Sequence, residues 1–429
     1  MAHGAAALAR TDAGQVVLVD DALPGERVTA EVLRARRSFL TARAVEVLQP
    51  SPARVDPPCP YVPECGGCQW QHASYEAQVE QKLEVLATTM RRGGASVPVA
   101  EVIPAPEPFR YRIRGELSIV RPGSPAVGPG AASDRRGHGL GFARRRSWSI
   151  VPVDDCLIHH PNLTGAIPGI LRALDEVGAG GMRSLHLTVH PERRELLWRA
   201  RGGDAPEGFA AALAAALPDH LAGVDSMSLE YGGAAIDGRP GPPLVFRVDP
   251  DSFVQVNHAQ AHRLYGRALA YLGDRPGRLL EGYAGFGAIS VLAGTRHDAA
   301  ARPTAISLVE EARASAILGR LHLRMHGLDG VAAYTRGTLE EVARDLQPGA
   351  FDTAVVDPPR AGCAPEALAG LVRAAPGRIV YVSCDPATLA RDLARLQEHG
   401  YRVEAQTLVD MFPQTYHIES VTLLLRDRV

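Results

Sequence analysis

The chain has 429 residues, 46% hydrophobic and 22% charged, enough for two or three folded cores and incompatible with wholesale disorder. Its formal charge is −2, so the molecule as a whole is not a polycation. No apolar run approaches the ~18 residues of a spanning helix, and MAHGAAALARTDAG lacks the basic-then-apolar build of a secretory signal; a cytoplasmic protein with no membrane partner is expected.

Residues 1–50 read as short alternating strands, QVVLVDD, RVTAEVLRARRSF and LTARAVEVL, parted by turn residues such as Leu23-Pro24-Gly25. A compact five-stranded barrel is expected. The ALPGERV turn and the RxRRSF-to-TARAVEVL pair resemble a TRAM domain, a small RNA-binding β-barrel.

Residues 51–250 mix helix and strand. QVEQKLEVLATTMRR (78–92) has helical spacing; RIRGELSIV, SLHLTVH and ELLWRA alternate as strands; the Gly/Pro-rich stretch 123–134 interrupts them. Cys59, Cys65 and Cys68, with Cys156 far along the chain, supply four soft ligands. In a reducing compartment they suit metal better than disulfides, and spacing alone leaves zinc and an iron–sulfur cluster open. Between Arg110 and Arg146 stand nine arginines and two acids, a net of +7, with Tyr111, Phe142 and Trp148 interleaved or adjacent. Arginine pairs with phosphates and stacks on bases, which suits RNA. A solvated arginine-rich surface accounts for the same composition, because Lys82 is the chain's one lysine against 45 arginines.

From about 251 the pattern becomes regular. Apolar strands at 278–283, 304–309, 352–357 and 378–383 alternate with helical stretches at 286–294, 310–326, 339–346, 365–374 and 386–398, predicting a parallel, doubly wound α/β sheet. Ligands of such sheets bind beyond the carboxyl ends of the strands. There Gly285 and Gly287 form a G-x-G turn, and Glu310, 23 residues after Gly287, can accept both hydroxyls of a ribose. The pair indicates an adenosine-containing cofactor or a purely structural turn. Asp357-Pro358-Pro359-Arg360 closes one strand, and Cys384 stands at the tip of the next, before a helix N-terminus that favours thiolate.

In order, FVQVN (253–257), EGYAGFG (281–287), DPPRAG (357–362), VYVSCDPATLARD (380–392) and DMFPQTYHIE (410–419) resemble the RNA uridine-C5 methyltransferase family, in particular its 23S rRNA (uracil-5-)-methyltransferase branch, over nearly the whole chain. The resemblance implies a Rossmann-like class I methyltransferase domain at 251–429, a TRAM/OB-like barrel at 1–50 and a central α+β iron–sulfur domain at 51–250. It implies Cys384 as the nucleophile that adds to C6 of uracil and Glu419 as the base that removes the C5 proton. It implies S-adenosylmethionine on Gln255, Tyr283, Gly285, Gly287, Glu310 and Asp357, and a structural [4Fe–4S] cluster on Cys59, Cys65, Cys68 and Cys156, with zinc as the other occupant. The implied partner is 23S rRNA, with tRNA as the alternative, and a monomer is expected. Glu281, Ala284, Ala288, Thr338 and Asp385 depart from the family pattern of Asp, Cys, Asn, Asn and Asn. An inward-pointing Asp385 carboxylate would disfavour the Cys384 thiolate, so Asp385→Asn is expected to raise its reactivity. The departures also motivate a reading of another class, a non-catalytic RNA-binding protein; the presence of Cys384, Glu419, Gln255 and Asp357 opposes it.

Overall fold

The computed structural model describes residues 4–11, 13–98, 100–124, 137–233, 236 and 242–427. Most of the Gly/Pro-rich stretch, with Asp134, Arg135 and Arg136 of the basic segment, lies outside the described residues. Contacts divide the chain into two units: Met1–Val85, Glu107–Asp225 and Phe412–His417 form one, and Leu86–Pro106, Ser226–Met411 and Ile418–Val429 the other. Among the described residues no helix is long and apolar enough to cross a membrane.

The first unit opens with a sheet in the order Ala7–Arg10, Val16–Asp20, Phe39–Gln49, Arg27–Ala35. Four strands, rather than five, are present among the described residues. RVTAEVLRARRSF is not one strand: it ends at Ala35, and Arg36 N–H donates to the Phe39 carbonyl at 2.9 Å to turn the chain. The small core of this sheet is Ala7, Val19, Ala22 and Ala42. The ALPGERV turn is held by Glu26, whose carboxylate accepts from Leu23 N–H (2.8 Å), Ser51 N–H (3.1 Å) and Arg54 Nε (2.5 Å). Burial pushes this carboxyl up, but those donors outweigh it and bring it down to about 2.

A second sheet of the same unit runs Ala222–Val224, Glu195–Arg201, Ser184–Val189, Arg114–Val120, Gly139–Ala143, Ile150–Pro152. Here four arginines of the +7 segment are paired with acids. Arg110 forms a two-pronged pair with Asp155 (2.6 Å each), Arg144 pairs with Glu64, Arg145 with Asp21 (2.5 Å) and Arg146 with Asp20 (2.5 Å). Those acids stand outside the 37-residue window, so a local charge count could not see them. Lys82 is fully buried and its Nζ donates to the Phe412 carbonyl at 2.9 Å, while Gln78 and Gln414 exchange hydrogen bonds of 2.9 and 3.0 Å.

The second unit is built on an eight-stranded sheet: Ala332–Arg336, Ala305–Glu310, Arg278–Gly282, Thr353–Val356, Arg378–Ser383, Glu419–Arg426, Tyr401–Val409, Glu101–Ile103. The first five are parallel, and Glu419–Arg426 runs antiparallel to both its neighbours. Thr353–Val356 is buried throughout, which is why it reads as an unbroken apolar run. Ala332–Arg336 lies at the sheet edge with only Tyr334 buried, so its apolar signal is faint.

Candidate active site

Three neighbouring strands end together in the second unit. Asp357 follows Thr353–Val356, Cys384 follows Arg378–Ser383, and Glu419 begins Glu419–Arg426. Register pairs Val356 with Tyr381 and Ser383 with Ser420, so all three side chains fall at one end of the sheet. Cys384 is pushed up to about 12 by burial, then by the Glu419 and Asp357 carboxylates, with the Arg360 guanidinium pulling the other way. Burial and Asp357 raise Glu419 well above the carboxylate range, again opposed by Arg360. Asp357 rises to about 7 through burial. The expected thiolate is therefore not the resting form: burial and two carboxylates outweigh the helix N-terminus.

Asp385 also departs from expectation. It is the N-cap of helix Pro386–Glu398, and its Oδ1 accepts from Ala387 N–H (2.9 Å) and Thr388 N–H (3.0 Å). It turns to the helix rather than to the thiol, and it is not among the charges that move Cys384. Aspartate and asparagine are near-equivalent caps, which explains why either residue type serves.

The loop from Asp357 to Cys363 is clamped from that helix. Thr388 Oγ1 donates to the Arg360 carbonyl (3.0 Å), and Arg391 to the carbonyls of Ala361 (3.0 Å) and Cys363 (3.2 Å). The buried Asp392 carboxylate accepts from Cys363 N–H (2.8 Å), Tyr381 Oη (2.7 Å) and Arg391 Nε (2.8 Å). Gly362 has φ +76°, and a Cβ there would come within 2.6 Å of both Arg391 and Asp392, so only glycine lets the loop lie this close. Cys363 is buried inside this network.

The G-x-G turn follows Arg278–Gly282. Gly285 (φ +54°) and Gly287 (φ +81°) take left-handed conformations, and so does the bulky Tyr283 (φ +57°), a strained arrangement of the kind that collects at ligand sites. Tyr283 Oη donates to Glu340 at 2.8 Å. Glu310 accepts from Gly285 N–H (3.0 Å) and Ala312 N–H (2.8 Å), one bond to each oxygen, which leaves lone pairs on both. Beside it an open recess of about 560 Å³ is lined by Glu311, Arg320, Arg336, Gly337, Thr338 and Glu341. Thr338 forms a capping box with Glu341 at the start of helix Leu339–Ala343, a task its hydroxyl performs in place of an amide. Ala288 is the first residue of the buried helix Ala288–Gly294. Glu281 is buried and raised to about 7, although it accepts from Ser290 N–H at 3.0 Å.

Gln255 is buried, and Asn257 of the same motif caps helix His258–Leu272 by accepting from Gln260 N–H at 3.2 Å. That helix carries Tyr265, a residue the sequence did not single out. It is buried facing the carboxylates of Asp357, Glu281 and Glu419, whose charges add to burial in raising its phenol. Nothing in its spacing separates it from an ordinary core aromatic.

The other predicted cluster is in the first unit. Cys59, Cys65, Cys68 and Cys156 are free thiols close enough for their charges to raise one another, and burial raises all four, Cys68 to about 12 and Cys156 to about 11. Each sulfur has a local donor: the N–H groups of Tyr61 and Val62 at Cys59, Gly67 N–H at Cys65 (3.4 Å), the Gln71 side chain at Cys68, and the N–H groups of Ile158 and His159 at Cys156. Among the described residues no group of three or more His, Cys, Asp or Glu is closed around a common ion position. Four thiols with N–H groups turned to sulfur have the chemistry of a tetrathiolate ligand set, although they do not surround one ion position here.

Comparison with known proteins accords with this geometry. A family model described as tRNA (Uracil-5-)-methyltransferase matches residues 237–427, and the TRAM domain model matches residues 2–45. A 23S rRNA (uracil(1939)-C(5))-methyltransferase RlmD of Chromohalobacter salexigens is 34% identical, covering 100% of this chain and 88% of the relative. Its namesake in Alkalilimnicola ehrlichii is 32% identical over 96% of this chain and 92% of its own. The fold is shared with the crystal structure of Pyrococcus abyssi tRNA (uracil-54, C5)-methyltransferase in complex with S-adenosyl-L-homocysteine, at TM-score 0.69 and 23% identity, covering 98% of this chain and 100% of that one. With full-length relatives above 30% identity and both family models in place, the chain belongs to the S-adenosylmethionine-dependent RNA uridine-C5 methyltransferase family.

Proposed function

We propose that the protein methylates C5 of a uridine in 23S rRNA through a covalent adduct on Cys384. The observation that carries this reading is the convergence of one thiol, Cys384, with one carboxyl of raised proton affinity, Glu419, at the carboxyl end of the sheet. Gln255, Tyr283, Gly285, Gly287, Glu310 and Asp357 would hold S-adenosylmethionine, which would supply an electrophilic methyl group. C5 of uracil is a poor nucleophile until a thiolate adds to C6. Cys384, once its thiol proton has gone to solvent, forms the S–C6 bond and leaves an enolate whose C5 takes the methyl; the S–CH3 bond pair stays on the sulfonium sulfur, which departs as a neutral thioether. Glu419 then removes the C5 proton, and the electron pair of that C–H bond expels the thiolate from C6. A carboxylate buried beside Asp357 gains more from taking a proton than a solvated one, which suits the abstraction of a carbon-bound proton. Arg360 is positioned to offset the charge of the thiolate. A uridine within folded RNA must leave its stack to reach Cys384.

In the same reading Cys59, Cys65, Cys68 and Cys156 hold a [4Fe–4S] cluster, or zinc, that braces the loop after the barrel; methyl transfer needs no redox step. Iron and acid-labile sulfide in anaerobically purified protein support the cluster, and stoichiometric zinc in their place rejects it.

RNA carrying 5-fluorouridine tests the chemistry, because fluorine cannot leave C5 as a proton would. Wild type is expected to form a denaturation-resistant protein–RNA adduct that Cys384→Ala abolishes. An adduct that persists in Cys384→Ala refutes the assignment. A nucleoside mass-spectrometric map of 5-methyluridine in cells with and without the gene tests the substrate. Loss of a 23S rRNA mark supports the proposal, and loss of a tRNA mark redirects it to tRNA.

A further inference from the structure

Trp148 is 98% exposed. The chain's other two tryptophans are packed: Trp70 is buried, and Trp198 lies edge-on to Phe209 at 5.2 Å between ring centroids. Leaving the largest apolar side chain in water is unfavourable, so its position needs a reason.

The turn that presents it is braced at every step. Arg144 N–H donates to the Ser149 carbonyl (2.8 Å), Ser147 N–H to the Arg144 carbonyl (3.1 Å), and Arg145 N–H to the Glu64 carbonyl (3.0 Å). The Arg145 guanidinium reaches the carbonyls of Cys65 (3.2 Å) and Cys68 (3.0 Å) as well as Asp21. Arg146 is tied to Asp20 and held at φ +55°, a conformation rare for a residue with a side chain. Asp20 ends strand Val16–Asp20, so the turn is fastened to the N-terminal sheet of its own unit. A rigid, strained turn here holds one indole away from the rest of the protein.

We infer that Trp148 is a stacking platform for an unpaired RNA base, with Arg146 beside it for the adjoining phosphate. The inference rests on the RNA-methylation reading above and adds to it a contact remote from the chemistry. The flanking residues are Ser147, Ser149 and Arg146, not the apolar and aromatic residues that make up the core of a protein interface. Arg146 keeps 57% of its side chain exposed while paired, and a guanidinium has five N–H donors to share. A π-face next to a part-exposed cation is the arrangement that binds single-stranded nucleic acid with little sequence preference.

The test uses the full chain and two labelled RNAs of mixed sequence, one single-stranded and one a blunt duplex. Affinity is read by fluorescence anisotropy and Trp148 access by iodide quenching of tryptophan emission. Saturating single-stranded RNA is expected to protect the quenchable emission. Trp148→Ala is expected to weaken single-strand binding about 5- to 100-fold, Trp148→Phe to retain most of it, and duplex binding to change little. The melting temperature should hold in both variants, because the side chain has given up almost no solvent contact. If wild type binds RNA but Trp148→Ala binds equally well, or iodide access is unchanged at saturation, the inference fails and the methylation reading stands. If wild type binds neither RNA, both fail.

Discussion

The two units treat buried carboxylates in opposite ways. In the first, Glu26 has a fully buried side chain yet is drawn down to about 2, because Arg54 and two backbone N–H groups more than repay its desolvation. In the second, Asp357 and Glu281 rise to about 7 and Glu419 is raised well above the carboxylate range, because burial is not matched by equal donors. Glu26 holds a turn and is fully satisfied. Asp357, Glu281 and Glu419 are left with an appetite for protons, which is costly to folding and useful in a reaction. Perturbation alone does not mark a catalytic group; its sign and the missing counter-charge do.

The largest expected effect tests the reactive side of that contrast. Glu419→Gln keeps the shape and removes the base, and should lower 5-methyluridine formation by about 10²- to 10⁴-fold while the Cys384 adduct accumulates. Loss of both adduct and product in a folded Glu419→Gln protein would mean that Glu419 acts before the adduct forms.

The satisfied side is tested by Glu26→Gln, which strands Arg54 and should cost the first unit about 2–3 kcal/mol, read as a lower urea midpoint. A midpoint within error of wild type would remove the contrast.

The pH dependence should then run in opposite directions. Glu26 titrates below its ordinary value of 4.5, so its contribution is present above about 4.5 and is lost as pH falls toward about 2. Asp357 and Glu281 titrate above their ordinary values of 3.8 and 4.5, so their contribution is full in acid and is lost as pH rises through about 7. Hydrogen exchange from pH 5 to 8 should show strands Thr353–Val356 and Arg278–Gly282 losing protection relative to Val16–Asp20, after correction for intrinsic rates. Glu281→Gln should flatten that trend.

The smallest effects concern the thiol. Removing the Glu419 charge favours thiolate, so Glu419→Gln should speed iodoacetamide labelling of Cys384 at alkaline pH by about 3- to 10-fold, followed by peptide mass spectrometry. Asp385→Asn should leave that rate unchanged and shift stability by a few tenths of a kcal/mol or less, since it exchanges one helix cap for another. A faster Asp385→Asn reaction would restore the inward-pointing carboxylate expected from sequence.

How much was legible follows from the range of each interaction. The parallel strands announced themselves because burial on both faces leaves an unbroken apolar run, as at 353–356. The edge strand Ala332–Arg336 and the end of Arg27–Ala35 did not, because exposed strands lose that signature. Cys384 and Glu419 could be singled out as candidates from their motifs, whereas Tyr265 carries no local mark. The ion pairs within the basic segment were not legible, because the partners of Arg144, Arg145 and Arg146 are 80, 124 and 126 residues away.

By itself, the sequence determined what nearest neighbours and spacing determine: alternating strands and helices, glycines where the chain turns left-handed, four cysteines of one chemistry, and the residue types needed for uracil methylation. Only the tertiary structure decided the charge states and the orientations. It turned Asp385 to its helix, paired four arginines of the basic segment with distant acids, withheld an equal counter-charge from Asp357, and left Trp148 in solvent. Those outcomes depend on burial and on through-space electrostatics, which fall off with distance in space and bear no fixed relation to distance along the chain.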